Sequence, residues 1–367
     1  MIPLKGDRLP EKRLNLSQFF HLMPKAELHC HLLGSVRQET FINLAHQARS
    51  TLSRETMDAF YVRGEKPVGA IPALRALEEQ LLRKAEDLYR ITYEYLGDAA
   101  SHGVLYSEFF WNPTGTVKGS GIPYPEAQDA VVRAIHAARA DFGITSKMIP
   151  SIDREADPEE AVTMVDWVLA DRVPEVEGIG IDYREPGHPP ELFCRAYRRA
   201  KEAGLKATAH AGEYGMPWTH VETAIEMLGV QRIDHGYTVL QNPAYARRCA
   251  ERGIVFTVVP TNSFYLRTLA PERWALDHPI PFMYKQGLKI HPNTDDPTLH
   301  GVTPTQVWQM MMVQFGFSLD QIRELMLNGL DGAWIDDTLR QQWRTQWCAR
   351  FDALRSRLEP GPHLVEP

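Results

Sequence analysis

Four short stretches carry side chains suited to metal binding and proton transfer: Lys25-Ala-Glu-Leu-His-Cys-His-Leu-Leu-Gly34, His210-Ala-Gly-Glu213, Asp234-His-Gly236 and Asn293-Thr-Asp-Asp-Pro297. His29 and His31 stand two residues apart, so on an extended strand they share a face and could bind one ion. Alone, such a pair has a bland explanation in hydrogen bonds or solvent. Its weight comes from the other stretches, which could bring a third histidine and a carboxylate to the same place. Three histidines and one aspartate form a mixed nitrogen and oxygen shell suited to zinc, with a position left for water that would ionise near neutral pH. Glu213 follows His210 by three residues, with Gly212 freeing the backbone between them. A protonated Glu213 could donate to a ring nitrogen of a substrate. His235, backed by Asp234, could hold or relay the proton of the attacking water. Asp295 and Asp296 invite a division of labour, one on the metal and one on the substrate.

These residues need a scaffold that gathers them, and the pattern of the chain supplies one. Strand-like runs are expected at 27–32, 104–110, 146–152, 178–182, 206–210, 232–235, 255–259 and 289–293, with helices at 125–142, 158–170, 192–203 and 219–228 between them. Alternating β and α eight times predicts an α/β fold, a closed (β/α)8 TIM barrel, whose chemistry gathers at the C-terminal rim of the strands. An open doubly wound sheet has the same alternation but would announce itself with a Gly-rich first turn, and no G-x-G-x-x-G follows any strand. Residues 38–102 form a helical insertion after the first strand, broken near 64–72, and are expected to wall or cover a pocket. Residues 306–358 form a helical, Trp-bearing extension suited to packing or to a homo-oligomer surface.

Composition narrows the classes of function. The 367 residues fit one elaborated barrel domain, 1–367, and 44% hydrophobic with 24% charged residues is ordinary for a globular core. A net charge of −7 and the lack of a basic block give no reason to bind nucleic acid. No apolar run is long enough to span a membrane, and the lead Met1-Ile-Pro-Leu-Lys-Gly-Asp-Arg8 places charge and proline where a signal peptide needs apolar residues. Cys30, Cys194, Cys249 and Cys348 are scattered without framework spacing, which fits a reduced, cytoplasmic setting. His102, His136, His188, His220, His278, His291 and His300 are expected to be mostly surface or packing residues.

The motifs together resemble the adenosine and adenine deaminase family of the metal-dependent amidohydrolase superfamily. The likeness runs through Met-Pro-Lys-Ala-Glu-Leu-His-Cys-His-Leu-Leu-Gly, Leu-Tyr-Ser-Glu-Phe-Phe, His-Ala-Gly-Glu, Arg-Ile-Asp-His-Gly, Val-Pro-Thr-Asn-Ser and Asn-Thr-Asp-Asp-Pro. It implies one zinc per chain on His29, His31, His210 and Asp295, and no lysine ends the fourth strand to bridge a second ion. It further implies Glu213 as proton donor to purine N1, His235 beside the attacking water, and Asp296 as partner of N7. The implied reaction is hydroxide attack at C6 of a 6-aminopurine with loss of ammonia. By family prior an adenosine-type nucleoside is placed first and adenine or a modified aminopurine second; the non-enzymatic alternative is a purine-binding protein without turnover. Leu33 stands where the nucleoside deaminases carry an acidic residue for the ribose. Glu185, in Gly180-Ile-Asp-Tyr-Arg-Glu-Pro-Gly-His-Pro-Pro190, replaces a glycine and is more like the adenine deaminase branch. Leu33, Asp182, Glu185 and Asp296 are therefore the substrate-binding candidates, with Phe60, Tyr61, Tyr89 and Trp111 as candidate pocket aromatics.

Overall fold

The computed structural model describes residues 13–359, so the charged lead at residues 1–8 lies outside the described residues. Eight strands run in chain order around one parallel sheet: β1 Lys25–His31, β2 Val104–Trp111, β3 Thr145–Asp153, β4 Gly178–Asp182, β5 Lys206–Ala211, β6 Arg232–His235, β7 Val255–Val258 and β8 Lys289–Pro292. Every residue of β1 is buried, as expected for a parallel strand covered by helices on one face and by barrel interior on the other. The expected strands are all present, displaced at most two residues at their ends.

The sheet closes between its first and last strands through a narrow seam. Asp295 N donates to His29 O at 2.9 Å and His31 N donates to Asp295 O at 2.8 Å. Asn293 Oδ1 accepts from Leu28 N at 2.8 Å, and Glu27 Oε1 accepts from Thr294 N at 3.0 Å. Two side chains on either side of the seam thus extend the backbone ladder beyond the end of β8.

Inside the barrel, towards the start of β6, Arg232 Nη1 meets Glu108 Oε2 at 2.6 Å, with both side chains buried. Removing two charges from water is expensive unless their remaining hydrogen-bonding capacity is met. On the acid's side it is met, Glu108 Oε1 accepting from Tyr106 OH at 2.6 Å and from Trp334 N at 2.5 Å. Arg232 Nη1 also donates to Gly332 O at 2.9 Å, and its guanidinium, whose Nε and Nη2 have no hydrogen-bond partner, lies 4.7 Å from the Trp334 ring centroid. This plug fills the end of the barrel opposite the rim.

The insertion after β1 folds as helices Gln38–Gln47, Arg54–Phe60, Ile71–Ala76 and Ala85–Ser101, with a π turn at Leu77–Leu81. Its break, residues 61–70, crosses the rim as a strap. Arg63 donates to Thr261 O and to Ser263 Oγ, while Arg267 Nη1 returns two bonds of 2.9 Å to Pro67 O and Val68 O. The C-terminal extension forms Pro304–Val313, Leu319–Gly332 and Asp337–Arg355. Trp308 and Trp347 turn inward, and Asn328 Nδ2 donates to Ile290 O at 3.1 Å, so this segment serves the barrel wall as packing.

Candidate active site

The four expected ligands converge at the C-terminal rim. His31 Nε2 lies 3.2 Å from His210 Nε2 and 3.2 Å from Asp295 Oδ1, and His29 Nε2 lies 3.6 Å from the same oxygen. One ligand atom from each of His29, His31, His210 and Asp295 falls within 4.8 Å of the others. The outer nitrogens fix which lone pairs point inward. His29 Nδ1 faces Thr257 O at 3.2 Å, and a carbonyl can only accept, so Nδ1 carries the proton. Nε2 is left as a buried lone pair with no hydrogen-bond partner. On the outer side of His31, Asp182 Oδ2 lies 3.4 Å from Nδ1; on that of His210, Asp234 Oδ2 lies 3.4 Å from Nδ1. Carboxylates behind imidazoles, with the far nitrogens aimed at one point, are the arrangement that orients histidines towards a metal ion. The facing Nε2 atoms of His31 and His210 can stand this close only with a proton or a cation between them. The donor set therefore fits a divalent cation of the zinc type.

Asp234 thus backs His210, whereas the sequence suggests that it backs His235. The same Oδ2 accepts from Thr208 Oγ1 at 2.8 Å, and Oδ1 accepts from Thr257 Oγ1 at 2.7 Å. Burial works against its charge, but His210, with His29 and Arg232, outweighs this and keeps the carboxyl below the usual carboxylate range. The partner of His235 is Tyr237 instead. Tyr237 OH donates to Val259 O at 3.0 Å, so at 3.3 Å it can only accept from His235 Nδ1. The Nε2 of His235 is then a free base. Burial, then the neighbouring His29 and His210, hold this ring well below the ordinary histidine range, so it stays neutral.

Glu213 stands 3.6 Å from His235, measured from Oε2 to Nε2. Burial, reinforced by the charges of Asp295 and Glu185, pushes its carboxyl well above the ordinary range, which favours the protonated form. Across the cluster, burial and the adjacent Asp295 push Asp296 up to about 7. Its Oδ1 is buried with no hydrogen-bond partner. His235 and Asp295 adopt positive φ, 70° and 65°, values that non-glycine residues take at a cost and that cluster where function fixes them.

This geometry can activate water, hold its proton and donate another, and comparison with known proteins agrees in kind. The sequence profile of the adenosine deaminase family matches residues 24–346. The chain belongs to that family. A curated relative from Marinomonas sp., an adenine deaminase, is 32% identical over 333 residues, 90% of this chain and 97% of that protein. A solved amidohydrolase from Burkholderia ambifaria, with bound zinc, is 58% identical with a TM-score of 0.92 over 93% of each chain. The adenine deaminase structure from Arthrobacter aurescens is 28% identical with a TM-score of 0.81, covering 89% of this chain and 98% of that one.

The cavity of this deaminase-family barrel is about 460 Å³ and opens over His31, His210, His235, Asp295 and Asp296, with Glu213 on its wall. Asp182 also reaches the cavity, but Asn112 Nδ2 holds its Oδ1 at 2.7 Å and its Oδ2 looks to His31, so it orients a ligand more than it awaits a substrate. Glu185 corrects the expectation of substrate contact. Its buried carboxylate accepts from Gly212 N at 2.8 Å, Glu213 N at 3.1 Å and His220 Nδ1 at 2.8 Å, leaving it to brace the Glu213 backbone from behind. Leu33 is likewise corrected: it is buried in the turn Leu33–Ser35 and packs into the core, away from the cavity lining. The candidate aromatics also fall elsewhere. Trp111 bonds Thr116, Tyr61 bonds Val36 O and Tyr89 stacks on Tyr93, while Tyr183 and Tyr214 line the cavity.

Sequence reasoning passed over three residues here. His220 supports Glu185, and Asn262 bonds Glu213. His300 lies 3.7 Å from Asp296 Oδ2 and lines the cavity; its spacing of four from Asp296 on a helical turn was the available signal. Gly34, next to Leu33, has a sharper role. A Cβ there would stand 1.8 Å from Asp296 Oδ1 and 2.6 Å from its Cγ, so only glycine lets this carboxylate take its place. Gly34→Ala is expected to displace Asp296 and cut kcat/KM by roughly 100-fold, the scale of a misplaced positioning group, with metal content unchanged. Steady-state kinetics beside metal analysis checks both.

Proposed function

We propose that this protein is a metal-dependent aminohydrolase acting on a 6-aminopurine, with the free base adenine ahead of adenosine-type nucleosides. The observation that carries the reading is the placement, in one cavity, of the Glu213 carboxyl and the unpartnered Asp296 carboxyl, both raised by burial, beside the four-ligand cluster. The order of substrates reverses the expectation from sequence. Curated relatives sharing 30–32% identity with the chain are named adenine deaminase, and Leu33 offers nothing to a ribose hydroxyl.

In this reading Asp296 orients the ring through N7, and Glu213 gives its proton to N1 as water adds to C6. His235 Nε2 takes the proton of the attacking water. The C6–N bond then breaks, the nitrogen gains a proton and leaves as ammonia, and the 6-oxopurine remains. A divalent cation bound by His29, His31, His210 and Asp295 would supply the Lewis acidity that lets water ionise near neutral pH. The free cysteines fit a reducing, cytoplasmic setting for such an enzyme.

The test is ammonia release by the purified, zinc-analysed protein from adenine, adenosine, deoxyadenosine and N6-substituted purines. A kcat/KM for adenine at least about tenfold above that for adenosine is expected, the scale of one unmet polar group in a specificity site. Preference for a nucleoside would restore the order suggested by sequence. Purine binding without ammonia from any of them would support the non-enzymatic alternative.

A further inference from the structure

Asn262 is buried on the cavity wall just after β7, between the catalytic carboxyl and the strap across the rim. Its side-chain oxygen caps the helix Ser263–Thr268, accepting from Phe264 N at 3.0 Å and Tyr265 N at 3.4 Å. Those two amides settle which way the side chain faces, because an NH2 in their place would meet two donors. The Nδ2 must therefore point the other way, where it donates to Glu213 Oε1 at 3.0 Å.

The consequence concerns where the acid keeps its proton. An Oε1 that accepts the Asn262 bond is the carbonyl oxygen of a protonated Glu213, so the hydroxyl is Oε2, the oxygen on the His235 side. The main chain of Glu213 is fixed independently by the Glu185 carboxylate. Asn262 itself is held rigidly, since the strap is fastened on both sides of it by Arg63 to Thr261 and Ser263 and by Arg267 to Pro67 and Val68.

We propose that Asn262 is the positioning residue for the proton donor, locking the Glu213 carboxyl in the orientation that presents the Oε2 proton to the substrate. This rests on the aminopurine reading for its kinetic consequence, but not for its structural one. Asn262→Asp and Asn262→Ser both keep a good N-cap oxygen while removing the amide donor, so the fold should survive in each. For adenine, kcat is expected to fall roughly 10- to 100-fold in both variants with KM within about threefold, and with zinc content and melting temperature close to wild type. A spectroscopic readout requires no turnover. The carboxylic C=O stretch of Glu213, recognised by its loss in Glu213→Gln, should shift to higher frequency in Asn262→Ser as its hydrogen bond is removed.

An unshifted stretch would overturn the proposal whether or not the protein turns over aminopurines. So would a kcat within about twofold of wild type, a loss confined to the Asp variant, or a loss that tracks a falling melting temperature. If wild type releases no ammonia but the stretch shifts, the positioning role stands and the aminopurine reading falls.

Discussion

Glu213→Gln is expected to lower kcat for adenine by about 10³-fold while leaving KM, metal content and melting temperature close to wild type. The substitution is nearly isosteric, and its amide oxygen can still accept from Asn262 Nδ2. What it cannot do is give up a proton to a ring nitrogen, and general acid catalysis of that kind contributes about 10²–10⁴-fold. An effect at the upper part of that range is expected because Glu213 is buried, with its carboxyl pushed upward by that burial, and solvent has little access to replace it. A loss confined to KM would recast Glu213 as a binding group. Retention of a tenth or more of wild-type kcat would remove it from the proton-donor role.

Stripping the metal should have an effect at least as large. Chelation of the purified protein is expected to lower turnover by at least about 10³-fold, ~4 kcal/mol of barrier, and zinc should restore it at a ratio near one ion per chain. Asp295→Ala should reproduce the loss without chelator, since that carboxylate lies within 3.6 Å of His29 and 3.2 Å of His31 in the ligand cluster. Metal analysis of the variant separates the two ways in which this could fail. A variant that keeps both its zinc and its activity would take Asp295 out of the ligand set; one that keeps zinc but not activity would make Asp295 a reacting group.

The barrel was legible because its strands obey local rules: apolar runs of the right length, each ending in polar residues at the rim. Boundaries slipped where the ladder is completed by side chains, as at β8, where Asn293 continues the pairing after the strand has ended. The convergence of the four candidate ligands was legible for a similar reason, each sitting at the end of a strand in a compact motif. Residues acting through others were not. Asp234 precedes His235 in sequence, and adjacency suggested a pair, yet it is the neighbouring strand that brings His210 to its oxygen. Glu185 looked like a substrate group because its position is close to the site in sequence terms. Only the packing shows that its carboxylate is consumed by the amides of residues 212 and 213. The roles of Leu33 and Gly34 depend on which of two neighbours faces the core and which abuts Asp296, a distinction made by a turn that no periodicity announces.

The seam between β1 and β8 joins residues such as Leu28 and Asn293, 265 positions apart in the chain. Contacts of such high order are costly in loop-closure entropy and tend to form late in folding. Because His29 and His31 stand on one side of that seam and Asp295 on the other, the complete ligand set does not exist until the barrel has closed. An ion bound by that set would favour the closed barrel over any open form, so its affinity would be coupled to closure of the seam. A chain whose seam is still open would hold only fragments of the shell, so tight metal binding would report that the barrel has closed.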